Sequence, residues 1–196
     1  MTYPAAYFQD NSQARILALV EQAPLATILF ASESEQLNDA IYAPLVFDES
    51  QQLFIGHVAA NNPLTQYQSI KVKMLFHGPN GYLSPNHSDE LVVPTWLYAN
   101  TQLTGELIFV REHEQKLSMM NFITDHFEQS FANPWPVSAL DDVKRDAMFK
   151  HIEFFTICVN NWQGHFKLSQ HKPQRVREQI KQSLSDQGST ALAEQI

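Results

Sequence analysis

The chain holds a single cysteine, Cys158, among 196 residues. That excludes an intramolecular disulfide, a C-x-x-C redox pair and a four-thiolate zinc site within one chain. Cys158 alternates with Phe154 and Thr156 in a strand-like run, which predicts a small buried side chain and not a nucleophile. Charge is also scarce: 17% of residues are charged, below the roughly 25% usual for soluble domains, and Gln and Asn make up the difference. The balance is acidic, 13 Lys+Arg against 21 Asp+Glu for a net charge of −8, which argues against strong attraction to nucleic acid. No apolar run approaches the ~20 residues that span a bilayer. The start, MTYPAAYFQD, has neither a basic n-region nor an apolar h-region, so a cytoplasmic location is expected.

Catalytic signatures are absent as well. There is no G-x-S-x-G, no G-x-x-x-x-G-K-[ST] and no H-E-x-x-H, and His113 with His126 is not an i,i+4 ligand pair. No metal site and no catalytic residue is assigned. No repeat, low-complexity tract or Gly/Ser-rich linker interrupts the hydrophobic pattern, which predicts a single core.

Helical spacing of Ile16, Leu17, Leu19 and Val20 predicts a helix over 10–22, capped by Asp10, Asn11 or Ser12 and ended by Pro24. Short β runs follow at 25–30, 40–47, 52–57, 71–77 and 81–84, with Gly78-Pro79-Asn80-Gly81 read as a turn. A longer strand over 95–110 alternates: Trp96, Tyr98, Asn100, Gln102 and Thr104 share a polar face, while Leu97, Ala99, Leu103, Leu107 and Phe109 form an apolar one. Residues 112–131 return to helical spacing, with Leu117, Met120, Ile123 or Phe127, and Phe131 as the buried stripe. A helix over 138–149, a strand over 153–162 and a final helix through Val176, Ile180 and Leu184 complete the pattern. Many short strands with short connections suggest an α+β fold centred on a closed or nearly closed barrel, because closure removes exposed edges.

Three stretches could carry chemistry. In Gly56-His57-Val58-Ala59-Ala60-Asn61-Asn62-Pro63, free N–H groups and amides could face an anion, although a plain cap by Asn61 or Asn62 on a helix begun by Pro63 is favoured. Trp96 and Tyr98, pointing the same way after Pro94, could wall a flat ring, line a dimer interface or simply fill a core. Residues 163–181 hold five of the cations, Lys167, Lys172, Arg175, Arg177 and Lys181. There Lys167, Ser169 and Gln170 could suit a phosphate tail, or the segment could be only a solvated basic helix start.

Read together, Tyr3-Pro4 with Tyr7-Phe8, Gly56-His57 with Asn62-Pro63, Phe76-His77-Gly78-Pro79 with Tyr82 and Ser84-Pro85, Val93-Pro94-Thr95-Trp96 with Tyr98, and Lys167-Leu168-Ser169-Gln170 form an ordered set. In this order they resemble the PaiB family, FMN-binding negative transcriptional regulators, from about the first residue to Lys172. The resemblance implies an antiparallel split β-barrel, like that of pyridoxamine phosphate oxidase, with peripheral helices. It places the split-barrel domain at 1–172 and a C-terminal helical tail at 173–196. It also implies a homodimer with FMN at the subunit interface and makes His57, Asn61, Asn62, Thr95, Trp96, Lys167, Ser169 and Gln170 the cofactor-binding candidates. The function so implied is that of a transcription-linked regulator or redox accessory protein, with a flavin-dependent oxidoreductase as an alternative. The chain departs from the family pattern at Tyr42, His87-Ser88, Leu97, Gln102 and His171, which keeps open a non-flavin ligand-binding or dimeric interaction module on the same fold. Direct DNA binding has only the basic segment from Lys167 to Lys181 to support it.

Overall fold

In the computed structural model, residues 4–31, 40–90 and 93–196 are described, and Tyr3 of the first resemblance string lies outside them. Seven strands form one sheet in the order β2-β1-β5-β6-β7-β4-β3. They are β1 (Leu25–Leu29), β2 (Ile41–Pro44), β3 (Val46–Asp48), β4 (Leu53–Ala59), β5 (Ser69–Leu83), β6 (Thr95–Val110) and β7 (Ile152–Lys167). The helices are α1 (Gln13–Gln22), α2 (His113–Glu128), α3 (Asp142–Phe149), α4 (Gln174–Asp186) and the short α5 (Thr190–Ala193). The chain divides into two compact units. A terminal unit comprises Met1–Ala23, Leu75–Gln102 and Trp162–Ile196, and a central unit comprises Pro24–Met74 and Leu103–Asn161.

In the central unit the expected strand over 40–47 is two strands. Leu45 breaks it, buried to within 1% and donating its N–H to the Pro24 carbonyl. Before the break β2 pairs antiparallel with β1, Leu25 opposite Pro44; after it β3 pairs antiparallel with β4, Val46 opposite Ile55. Because β2 and β3 are the two edges of the sheet and one residue joins them, the sheet must curl until its edges meet. The core of this unit gathers Val46, Ile55 and Phe154 from strands with Met119 and Ile123 from α2 and Phe149 from α3. The predicted stripe of α2 is corrected here: Leu117, Met120 and Phe127 are only partly buried, and Phe131 is 61% exposed, because the helix ends at Glu128 before reaching it. Cys158 is likewise exposed, not buried: Phe155 and Ile157 face one way, and of Phe154, Thr156 and Cys158 on the other side only Phe154 is buried, against Phe149 of α3.

In the terminal unit the predicted turn at 78–81 does not exist, and β5 runs straight through it. Gly78 serves close approach and not reversal. A Cβ there would lie 2.3 Å from Leu19 Cδ1 and 2.7 Å from the Ala99 carbonyl oxygen, so any side chain would hold α1 away from the strand. α1 buries Ile16, Leu19 and Val20, as its spacing predicts. Its entry is ordered by Asp10, which accepts from the Ser12 N–H at 3.0 Å and pairs with Arg15 at 3.0 Å; these bonds hold the Asp10 carboxyl below its ordinary pKa. α4 presents Val176, Ile180 and Leu184, and α5 presents Leu192 and Ala193, to a core shared with Leu19, Leu83, Leu97, Ala99, Phe166 and Leu168. Each such large apolar side chain contributes roughly 1.5–3 kcal/mol of burial. Residues 174–193 thus supply one wall of this core. No helix among the described residues is long and apolar enough to cross a membrane.

Candidate functional site

The alternation of β6 decides what faces outward. Leu97, Ala99, Thr101 and Leu103 are buried, while Trp96, Tyr98, Asn100 and Gln102 stand on the opposite face. In the terminal unit this face carries an aromatic platform. Trp96 is 53% exposed, its indole N–H donates to Asn80 Oδ1 at 3.1 Å, and its ring lies 6.5 Å from the exposed ring of Tyr82. The hydrogen bond fixes the indole without covering it, so its surface remains open to a flat partner.

At the first residue of β6, Thr95 Oγ1 accepts from Lys167 Nζ at 2.6 Å, which brings the two ends of β6 and β7 together. An ammonium has three N–H donors, and Thr95 takes one. Farther along the face the side-chain oxygen of Asn100 is enclosed and has no partner. An enclosed amide oxygen without a donor costs about 1–3 kcal/mol, so its presence marks a place for a hydrogen-bond donor. Beside it in sequence, Gln102 joins Gln9, Asn11, Gln163 and His165 around a polar cavity of about 180 Å³. Burial holds the His165 imidazole below its ordinary pKa, which favours the neutral ring.

Ser169 and Gln170 take part differently. Ser169 is only 4% exposed and sits at φ +62°, a left-handed conformation that costs a non-glycine residue about 1–2 kcal/mol. Gln170 holds the turn in place: its Oε1 accepts from the Leu168 N–H at 2.9 Å, and its Nε2 donates to the Tyr7 carbonyl at 2.8 Å and to the Phe166 carbonyl. These two residues shape the exit of β7 just behind Lys167.

The other three candidates lie in the central unit. His57 on β4 packs its ring 5.4 Å from Phe154, and its Nδ1 is enclosed with no partner. Burial lowers its pKa, so the neutral imidazole is the favoured form. Asn62 caps the single 3-10 turn Pro63–Gln66 by accepting from the Leu64 N–H at 3.0 Å, as the cap reading expects, while Asn61 beside it is exposed. The departures from the family pattern scatter: Leu97 fills the apolar core, Tyr42 is 67% exposed on β2, and Gln102 lines the polar cavity.

Sequence reasoning placed Asn100 on the polar face but did not single it out. The usable signal was its position in the middle of an alternating strand whose other outward residues are aromatic or amide. It also passed over Lys71 and Lys73, both exposed on β5, which the same alternation places on one face.

Residues 2–161 match the family described as "Putative FMN-binding domain". The chain is 24% identical over 176 residues to Protease synthase and sporulation protein PAI 2 of Bacillus subtilis, an alignment that covers 87% of this chain and 83% of that one. Among solved structures, the FAD and heme binding protein from Mycobacterium smegmatis superposes with a TM-score of 0.64 at 16% identity, covering 88% of this chain and 78% of that one. The flavocytochrome Anf3 from Azotobacter vinelandii gives 0.58 at 9%, covering 84% and 72%. At such identities these likenesses speak for the fold alone. The fold is the α+β antiparallel split β-barrel with peripheral helices expected from the sequence. With four-fifths of its length inside the family match and PAI 2 as a relative, this chain belongs to the FMN-binding domain family, as a divergent member of its PaiB branch.

Proposed function

We propose that this chain binds FMN and works as a flavin-dependent regulatory or accessory protein, in a homodimer, without gripping DNA itself. The observation that carries the reading is the face built on Lys167, Thr95, Trp96 and Asn100. FMN combines a dianionic phosphate, a flat ring and ring-edge N–H and carbonyl groups. Lys167, steadied by Thr95, has two N–H groups left for phosphate oxygens; the Trp96 and Tyr82 rings offer a surface for stacking; and the unpaired Asn100 oxygen can accept from a ring N–H. Ser169 and Gln170 serve by fixing the turn that aims Lys167. His57, with its unpaired Nδ1, and Asn61 and Asn62 beside the Pro63 turn form the second group assigned to the cofactor. When bound, FMN supplies the electron chemistry, and the protein's part is orientation and hydrogen bonding. No side-chain nucleophile is needed.

The regulatory part rests on the resemblance to the PaiB family, and the net charge of −8 favours action through a metabolite or a partner protein. FMN titration of purified protein tests the core of the reading. Saturable quenching of flavin fluorescence and a raised Tm are expected, with Lys167→Ala weakening binding by about 1.5–3 kcal/mol, the usual worth of a hydrogen bond to a charged group. Protein that stays colourless and gains no thermal stability in excess FMN would sink it. Sedimentation showing a monomer, or tight and salt-sensitive DNA binding in an anisotropy titration, would overturn the corresponding part.

A further inference from the structure

We propose that the central unit carries a second ligand site, for an organic anion with a compact apolar body, in a groove across the outer face of the sheet. The groove has a volume of about 490 Å³ and crosses the end of β1, then β5, β6 and β7. Its floor is apolar: Leu29, Phe30, Ala31, Val72 and Gly105. At Gly105 the backbones of β6 and β7 approach closely, because a Cβ there would come within 2.4 Å of the Cys158 carbonyl oxygen and 3.0 Å of Ile157 Cγ2.

Among the described residues that line it, the rim offers donors and no carboxylate. Lys71 and Lys73 stand on β5 as exposed neighbours on one face, and neither has an ion-pair partner among the described residues. Asn160 completes the rim. Its Oδ1 accepts from the Thr104 hydroxyl at 3.0 Å, and among the described residues nothing accepts from its Nδ2 amino group, which keeps two N–H donors for a ligand. Glu106, two residues along β6 from Thr104, accepts from the Ser69 hydroxyl and forms no ion pair with either lysine among the described residues. Two ammonium groups without an ion-pair partner among the described residues are notable in a chain with only 13 cations and a net charge of −8. Like charges at i,i+2 on a strand repel, and an anion between them removes that repulsion while the apolar floor takes its body out of water. The chemistry selects an aromatic or short acyl carboxylate, sulfonate or phosphate. It disfavours neutral polar molecules, which would leave the floor unused, and cations, which the lysines repel.

The probe is 8-anilinonaphthalene-1-sulfonate, an aromatic sulfonate whose fluorescence rises on leaving water, titrated into the full chain with and without saturating FMN. The expected result is one saturable site per chain whose affinity falls by roughly tenfold or more in Lys71→Glu/Lys73→Glu, since each charge-assisted contact is a strong one. Thr104→Val, which frees Asn160 to rotate, is expected to weaken binding by a few-fold. Lys167→Ala should leave it unchanged. Both lysines are exposed, so the double variant should keep the wild-type Tm and the loss cannot be ascribed to unfolding. Non-saturable fluorescence, or unchanged affinity in the double variant, would overturn the proposal. So would competition by FMN, because the groove would then be the cofactor site itself. Failure of FMN to bind at all, with the sulfonate still bound at Lys71 and Lys73, would sink the flavin reading and leave this one standing.

Discussion

The two lysine-bearing faces of this protein are built in opposite ways. In the terminal unit Lys167 is tied to Thr95, Trp96 is tied to Asn80, and the turn behind them is held by three hydrogen bonds of Gln170. In the central unit Lys71 and Lys73 stand beside apolar lining residues with no ion-pair partner among the described residues. The first arrangement has already spent the conformational freedom of its side chains, so it can discriminate geometry. The second has not, and can reward only charge and apolar area. A tied face suits a cofactor that must be held in one orientation, and a loose one suits ligands of a class.

The largest perturbation of this contrast would be to remove the support beneath the tied face. Phe166 is 1% exposed, lies between His165 and Lys167 on β7, and carries the Arg15 guanidinium 4.0 Å above its ring. Phe166→Ala is expected to cost about 3–5 kcal/mol in urea unfolding and to abolish FMN binding at temperatures where the variant is still folded. Retained FMN affinity would mean that the face does not need its core.

A smaller effect separates the buried histidine from the exposed cations. Burial depresses the His57 pKa below its ordinary 6.5, so the folded state resists a proton that the unfolded state accepts. Stability should therefore be level above about pH 6.5 and fall as pH drops below it. His165 and His171 shift in the same direction, both chiefly through burial, so His57→Gln should flatten the slope of Tm against pH without abolishing it. An unaltered slope in that variant would show that His57 does not set it. The smallest effect is expected at the cap. Asn62→Ala removes the acceptor for the Leu64 N–H and should lower stability by about 1 kcal/mol, whereas Asn61→Ala, at an exposed neighbour, should leave stability unchanged. Equal losses at both positions would contradict the capping geometry.

Much of this was legible in the chain because it depends on periodicity. The whole of β6, its bounds and both of its faces follow from strict alternation, and α1 and α4 follow from spacings of three and four. Local chemistry misled where it had two uses. Gly78-Pro79-Asn80-Gly81 has the composition of a turn, yet Gly78 is there because Leu19 and Ala99 crowd it, and both neighbours are far off in sequence. In the same way, Ala40–Phe47 reads as one strand, and only the choice of different partners on each side of Leu45 breaks it in two. Gln170 looks like a ligand donor in sequence, but its amide reaches Tyr7, 163 residues away.

By itself the sequence determined which side chains β6, α1 and α4 would turn inward, and the ordered strings that relate the chain to its family, since both are properties of neighbours along the backbone. Only the tertiary structure decided which polar atoms would be left over. Lys167 found Thr95 and Gln170 found Tyr7, while the Asn100 oxygen, His57 Nδ1 and the ammonium groups of Lys71 and Lys73 found no partner among the described residues. Whether a donor or acceptor is satisfied depends on residues that folding brings from elsewhere in the chain, and the unsatisfied remainder is what a ligand can use.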